Sequence, residues 1–239
     1  MSQPKISVVL PCYNEKELAV EHTRKVYSFL KNLGWNFELI VCDDASTDGT
    51  AEALSKLTEP EIRVLHFTNG PSRRENLSHA LQDAKGEALV YMDMDLSTDL
   101  KYLNDIVNPV LNNSYDIAIG SRYQQGAEVK RELLRLVYSK LYNGTIRMLF
   151  GSKVLDHQCG FKAFRRDVFH ELAEELGYDE KFLRGWFWDA ELLIRAQQKK
   201  LRILEIPVKW ISAKKSSFHF FRELKVLPYM LGLRMRLRR

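Results

Sequence analysis

Through the first half of the chain, short β-branched and apolar runs alternate with longer segments whose apolar positions recur at helical spacing. Residues 6–10, 38–42, 62–66, 88–92 and 116–120 read as strands, and 17–33, 49–57, 72–84 and 100–112 as the helices between them. Strands of almost unbroken apolar character joined by helical crossovers predict an α/β fold, Rossmann-like, with a mostly parallel sheet flanked by helices. After Gly120 the alternation ends. Residues 128–150 read as one long helix with an apolar stripe through Leu133, Leu134, Val137, Leu141 and Ile146, interrupted at Asn143-Gly144. A loop at 156–160, a short strand at 161–164, a helix at 189–199 and a late strand at 203–206 follow, then Pro207 and the apolar segment 208–211.

Several strands end in polar residues, and open α/β sheets bind ligands at that carboxyl edge. The run Ala88-Leu89-Val90-Tyr91-Met92 finishes in Asp93-Met94-Asp95, two carboxylates at the tip of a buried strand. Side chains two apart on a strand point the same way, so the pair can share one hard cation against a phosphorylated ligand. Pro11-Cys12-Tyr13-Asn14-Glu15 follows the first strand. Pro11 forces an extended exit, Tyr13 is available to stack on a base, and Asn14 or Glu15 can cap the next helix. Asp43 and Asp44 end the second strand, where an acid can accept from a base imide N–H or a ribose hydroxyl. Gly120-Ser121-Arg122-Tyr123 ends the fifth, and Arg122 offers the planar fork that grips phosphate. Arg135 and Ser139 share a helix face, with solvation of an amphipathic helix as the alternative for Arg131 and Arg135. Asp189 and Glu191 open a late helix, to orient a sugar hydroxyl or phosphate or, for Asp189, to cap it. Together these positions point to an enzyme using a nucleotide-activated substrate.

The chain has 239 residues, 45% of them hydrophobic, enough for one sizeable core with an appendage. Cys12, Cys42 and Cys159 have neither metal-ligand nor disulfide-framework spacing and read as reduced thiols of a cytosolic protein. No secretory leader and no apolar span of bilayer length is read in the sequence. The net charge of +5 is gathered at one end: from Lys214 onward eight Lys or Arg stand against one acid, Glu223, which leaves the remainder net acidic. Such a tail suits an anionic membrane surface. Nucleic acid is the rival partner for it, but that reading gives the strand-end acids no role.

The ordered set Pro11-Cys12-Tyr13-Asn14-Glu15, Asp43-Asp44-Ala45-Ser46-Thr47-Asp48-Gly49-Thr50, Met92-Asp93-Met94-Asp95-Leu96-Ser97 and Gly120-Ser121-Arg122-Tyr123 resembles the inverting family 2 glycosyltransferases of GT-A fold. Continued through Asp156-His157-Gln158-Cys159-Gly160-Phe161-Lys162-Ala163-Phe164 and Glu205-Ile206-Pro207-Val208-Lys209-Trp210, it resembles the polyprenyl- or dolichyl-phosphate hexosyltransferases. Within these, Trp188-Asp189-Ala190-Glu191-Leu192-Leu193 is more similar to the glucosyl than to the mannosyl enzymes. The resemblance implies nucleotide contacts at Pro11, Tyr13, Glu15 and Asp43 or Asp44. It also implies Mg²⁺ or Mn²⁺ and diphosphate at Asp93 and Asp95, and acceptor phosphate at Arg122, Arg135 and Ser139. The sequence departs from the family pattern at Met94, a bulkier central residue, and at Ser72-Arg73-Arg74-Glu75-Asn76, where a small basic segment is usual. A diphosphate contact by Arg73 or Arg74 stays open on that account.

The expected reaction moves a hexose from UDP-glucose or GDP-mannose to a polyprenyl or dolichyl phosphate with inversion, the alternative being a saccharide acceptor. A phosphate is already anionic and needs no base; a sugar hydroxyl would need one, and Asp189 or Glu191 is then the candidate. The domain expectation is a catalytic body over 1–217, with a nucleotide-sugar half (1–120) and an acceptor half (121–217). Residues 218–239 are then a basic amphipathic tail lying on the cytoplasmic face of a membrane. The stripe Leu133, Val137, Tyr138 and Leu141 reads first as core, with a second membrane contact as the alternative.

Overall fold

Nine strands form in chain order: β1 (Ile6–Cys12), β2 (Phe37–Asp44), β3 (Ile62–Phe67), β4 (Ala88–Met92), β5 (Ile117–Ser121), β6 (Glu128–Lys130), β7 (Phe161–Arg165), β8 (Ile203–Pro207) and β9 (Lys209–Ile211) in a computed structural model that describes residues 3–211 and 226–237. Seven of them make one sheet in the order β3-β2-β1-β4-β7-β5-β8, and β6 pairs with β9 in a separate parallel ribbon. All pairings in the large sheet are parallel except those of β7, which runs antiparallel to both β4 and β5. That reversal puts the start of β7 beside the end of β4, with Phe161 opposite Met92.

The helices are α1 (Ala19–Asn32), α2 (Thr50–Leu54), α3 (Glu75–Asp83), α4 (Leu103–Leu111), α5 (Leu133–Phe150), α6 (Arg166–Leu176), α7 (Trp188–Gln198) and α8 (Leu227–Arg236). They cover both faces of the sheet, which is why its strands carry apolar residues almost without interruption. Val8, Leu10, Leu39, Val41 and Val90 pack with α1 and α4 on one face. Val9, Ile40, Leu89 and Tyr91, the alternate positions, pack with α3, α6 and α7 on the other. Pro11 fits inside β1 because β4 pairs with β1 only up to Val9, so no N–H is wanted from Pro11 on that side.

The parallel core follows the pattern read from the sequence, with boundaries moved by one to three residues. Residues 128–150 do not form one helix. Glu128–Lys130 is strand β6, drawn into pairing with Lys209–Ile211, and the helix starts only at Leu133. Nor does Asn143-Gly144 interrupt it: the helix runs through, Asn143 donating to the Ser139 carbonyl one turn back. Helix α6 lies where the pattern reading named no element, although Val168, Phe169, Leu172 and Ala173 make its buried stripe. The α5 stripe is not core either. Leu133 is 78% exposed and Leu134 71%, and Val137 and Leu141 are also open to solvent, while Ile146 alone of that stripe is buried. Helix α8 packs on α5 and α7 through Met230 and Leu233, leaving Leu227, Leu231 and Met235 exposed. The remaining tail residues, 212–225 and 238–239, lie outside the described residues.

A buried ion pair fastens α3 to the segment before α7. Arg184 Nε and Nη2 donate to the two Glu75 oxygens at 2.9 and 2.8 Å, with both side chains almost fully enclosed. Removing one partner strands the other charge in the interior, so Glu75→Ala is expected to lower the unfolding free energy by about 3–5 kcal/mol in urea titrations. A loss below about 1 kcal/mol would mean that water reaches Arg184.

Candidate active site at the carboxyl edge of the sheet

The loops after β1 and β2 are stapled together. Asn14 N donates to Ser46 Oγ (2.9 Å), Thr47 N to Asn14 Oδ1 (2.8 Å), Glu15 N to Thr50 Oγ1 (3.0 Å) and Lys16 N to Asp48 Oδ2 (3.1 Å). Asn14 and Ala45 adopt positive φ to make the two tight turns meet. Pro11 and Tyr13 stand on this rim, with the Tyr13 ring exposed. Behind them Asp43 is buried, accepting from Ser46 N and facing His66 Nδ1 on β3. Asp44 turns the other way and anchors the start of α3, accepting from Ser72 N and Oγ, Arg73 N and Asn76 Nδ2.

Asp93 leaves β4 against Gly160. Its amide donates to the Gly160 carbonyl at 2.9 Å, and a Cβ on Gly160 would fall 2.0 Å from Asp93 Oδ2. The glycine therefore makes the space that the carboxylate fills, a consequence of β7 starting where β4 ends. Asp95 is oriented by Ser97, whose N and Oγ donate to its two oxygens at 2.9 and 2.7 Å. Asp93 keeps 37% of its side chain exposed. Desolvation, aided by the Asp95 charge, still lifts its pKa above the usual carboxylate range despite Arg74. Two hard oxygen donors on a shaped shelf fit a divalent Mg²⁺ or Mn²⁺. Among the described residues no group of three or more His, Cys, Asp or Glu side chains is placed to hold an ion.

Under this shelf lies a buried charge network absent from the sequence reading. Arg74 donates through Nη2 to Asp93 (3.1 Å) and through Nε to Asp189 (3.0 Å). Lys162, fully enclosed, donates to Asp189 (2.9 Å), the Cys159 carbonyl (2.6 Å) and Tyr91 Oη (2.9 Å), while the Tyr91 hydroxyl also donates to Asp189. Burial alone would raise Asp189, but Lys162 and Arg74 outweigh it and hold the carboxyl below its ordinary value. Asp189 is thus joined to Asp93 through Arg74. Glu191 sits apart, with Arg195, Arg184 and Tyr229. The sequence signal for the network was the pair of lysine and acid inside otherwise apolar runs, Lys162 and Asp189, each too costly to bury unpaired.

On the other flank Arg122 is buried, its Nε and Nη2 donating to the two oxygens of Asp156 at 2.7 and 2.8 Å. Its fork is committed to that carboxylate, and its guanidinium carbon lies 5.5 Å from the Trp210 ring. Ser139 Oγ accepts from Arg131 Nη1 at 2.7 Å and donates to the Arg135 carbonyl. Arg122, Arg131, Arg135 and Ser139 are therefore one cluster. The loop 156–160 joins the two flanks, from Asp156 under Arg122 to Gly160 under Asp93. Glu205 clamps the start of this loop, accepting from the amides of Leu155 and Asp156.

With this geometry in place, comparison with known proteins gives the family. The profile described as glycosyl transferase family 2 matches residues 7–173. The chain belongs to that family. It is a glycosyltransferase with a GT-A fold, and it is 38% identical over 213 residues to glycosyltransferase AglD of Haloferax volcanii, covering 86% of this chain and 33% of that protein. It is 28% identical over 227 residues to the dolichyl-phosphate beta-glucosyltransferase of Saccharomyces cerevisiae, covering 86% of this chain and 66% of that protein. The chain thus spans a third of the archaeal relative and just under two thirds of the yeast one. Among solved structures, glucosyl-3-phosphoglycerate synthase from Mycobacterium tuberculosis, in complex with Mn²⁺, UDP-glucose and phosphoglyceric acid, superposes with a TM-score of 0.66 at 20% identity, covering 97% of this chain and 79% of that one.

Two outcomes follow for the shelf and its loop. Gly160→Ala forces the Asp93 carboxylate aside; turnover is expected to drop about tenfold or more, while the unfolding free energy from urea titration falls by about 1 kcal/mol or less. Unchanged turnover would show that Asp93 need not hold this position. His157, in the same loop, is a neutral tautomer: Asn143 Oδ1 takes its Nδ1–H (2.7 Å) and Ser152 Oγ donates to Nε2 (2.8 Å). Burial pushes its pKa from 6.5 down to about 4. Between those values the unfolded chain takes up the proton and the folded one does not, so this contribution is complete above pH 6.5 and falls away toward pH 4. Urea midpoints measured across that window should decline less steeply for His157→Gln than for the wild type.

Proposed function

We propose that this glycosyltransferase moves a hexose, with inversion, from a nucleotide sugar to the phosphate of a polyprenyl or dolichyl lipid. The observation that carries the reading is the state of the acids around the shelf. A sugar-hydroxyl acceptor needs a carboxylate with a free, basic oxygen to take its proton, yet Asp189 is occupied by Lys162 and Arg74, which lower its pKa, and Glu191 is paired with Arg195 and Arg184. A phosphate needs no such base, and a guanidinium cluster stands across the 156–160 loop from Asp93. The relatives named dolichyl-phosphate beta-glucosyltransferase support this acceptor class and favour glucose over mannose.

In this reading Tyr13, Pro11 and Asp43 hold the nucleoside at the stapled rim, with Glu15 beside them and Asp44 bracing the base of α3. Asp93 and Asp95 would hold a Mg²⁺ or Mn²⁺ ion, which when bound supplies positive charge to the departing diphosphate. Arg74, already paired to Asp93, adds a second positive charge on that side. Arg122, committed to Asp156, steadies the cluster from behind, and Arg135 and Ser139 align the acceptor phosphate. One of its oxygens bonds to the anomeric carbon from the face opposite the nucleotide, the sugar–diphosphate bond breaks with its electron pair, and nucleoside diphosphate leaves.

Contact with an anionic membrane at its cytoplasmic face completes the proposal. The exposed leucines of α5 and the exposed Leu227, Leu231 and Met235 of α8 form apolar faces beside Lys140, Arg234 and Arg236, a composition suited to the interface. No helix among the described residues is long and apolar enough to cross a bilayer.

The test is a panel of radiolabelled nucleotide sugars with Mn²⁺ and a short polyprenyl phosphate. Acid-labile label is expected in the organic phase with UDP-glucose, lost on chelation and reduced about a hundredfold or more in Asp93→Asn and Asp95→Asn. Label that instead accumulates on a water-soluble saccharide would replace the lipid acceptor with a sugar.

A further inference from the structure

Arg131 is the one member of the guanidinium cluster that no family resemblance assigns, and its surroundings are those of an anion-binding group. Its guanidinium carbon lies 5.2 Å from the Trp210 ring, on which Arg122 also rests at 5.5 Å. Its Nη1 donates to Ser139 Oγ at 2.7 Å, but its Nε is buried with no hydrogen-bond partner among the described residues. The buried hydroxyl of Tyr123 lies in the same pocket.

Asp156 is the carboxylate within the cluster, and Arg122 occupies it through two side-chain hydrogen bonds and one from its backbone amide. Burial, then the repulsion of Arg122 and Arg135, brings the Arg131 pKa down to about 10. Arg122 and Arg131 share one indole, and Arg122 already takes up Asp156, so a doubly charged anion at Arg131 relieves both the repulsion and the unpaired N–H.

The pocket is also tied to the donor side. Trp210 lies on β9, which bridges Thr98, and Ile211 N donates to the Ser97 carbonyl at 2.8 Å. Ser97 is the residue that orients Asp95. An anion on Arg131 therefore lies one ribbon away from the proposed metal shelf.

We propose that Arg131, flattened on Trp210 and flanked by Ser139 and Tyr123, directly grips the terminal phosphate dianion of the acceptor, while Arg122, locked on Asp156, is a positioning cation that supports the ring from behind. This deepens the phosphate-acceptor reading above and rests on it. It also states the acceptor chemistry more narrowly: a phosphomonoester, whose dianion matches the pocket, rather than a diester or an alcohol. A lipid phosphate and a small soluble phosphate share that group.

The experiment has two arms. In the first, inorganic phosphate is titrated into wild type, Arg131→Gln and Arg131→Lys by calorimetry. Wild type is expected to bind, Arg131→Gln to lose about tenfold or more in affinity, and Arg131→Lys, which keeps charge but not the fork, to fall between. No binding to wild type, or equal binding to all three, overturns the assignment. In the second arm, transfer is measured to a short polyprenyl phosphate, to 3-phosphoglycerate and to the unphosphorylated polyprenol. Arg131→Gln is expected to raise the KM of the phosphorylated acceptor about tenfold or more while the donor KM stays within about twofold. Donor KM rising in step, or a lower unfolding midpoint accounting for the loss, would make Arg131 merely structural and overturn the proposal; Arg131→Lys, the milder change, serves if the glutamine variant does not fold. Transfer to 3-phosphoglycerate in place of the lipid would remove the lipid reading and leave the pocket standing. Transfer to the unphosphorylated polyprenol as good as to its phosphate would overturn the pocket.

Discussion

The antiparallel entry of β7 between β4 and β5 governs the site. Because Phe161 pairs with Met92, the residue before β7 meets the residue after β4, and only a glycine at 160 leaves room for the Asp93 carboxylate. The same entry brings Lys162 beneath Tyr91 and carries the 156–160 loop from Arg122 across to Asp93. Were β7 parallel, its first residues would lie at the opposite edge of the sheet, and neither the carboxylate shelf nor its link to the arginines could form.

Around that junction the interior is unusually ionic, and the pairing is selective. Asp189, Asp156 and Glu75 are each matched to a buried cation with charge-assisted hydrogen bonds, which offsets the desolvation of both partners. Buried pairs of this kind give little net stability relative to apolar packing, but they fix where a guanidinium stands. Arg74 is fixed beside Asp93, Arg122 behind Trp210. The Arg131 Nε, by contrast, is a buried donor with no partner among the described residues, at the place proposed for the acceptor phosphate.

Much of the parallel core was legible because strands covered on two faces must be apolar throughout, and helices between them must be amphipathic. Asp93, Asp95, Asp43 and Asp44 stood out for the same reason: each interrupts such a run at its end. The pattern did not carry the second half so well. Glu128–Lys130 is too short to show a period, and its pairing with Lys209–Ile211 is non-local. The α5 stripe has helical spacing whether it faces protein or solvent, so periodicity alone could not reveal that Leu133 and Leu134 are exposed. Arg74, Lys162 and Asp189 meet across separations of 27 to 115 residues, and no local rule connects them. For Arg131, the charged face of a helix and a ligand-binding arm look identical until Trp210 is placed under it.

The strand order bears on how the chain comes together. β4 and β5 are separated by a strand that is made some forty residues after β5, so during synthesis both wait with open edges facing each other until residues 161–165 emerge. A fragment ending near Gly120 would keep the stapled rim yet leave β5 without a partner and one edge of β4 open, a template for intermolecular pairing. The rim can assemble early; the shelf belongs to the last strand in the centre of the sheet, and a ribosome must deliver more than half of the chain before the two carboxylates have a floor to rest on.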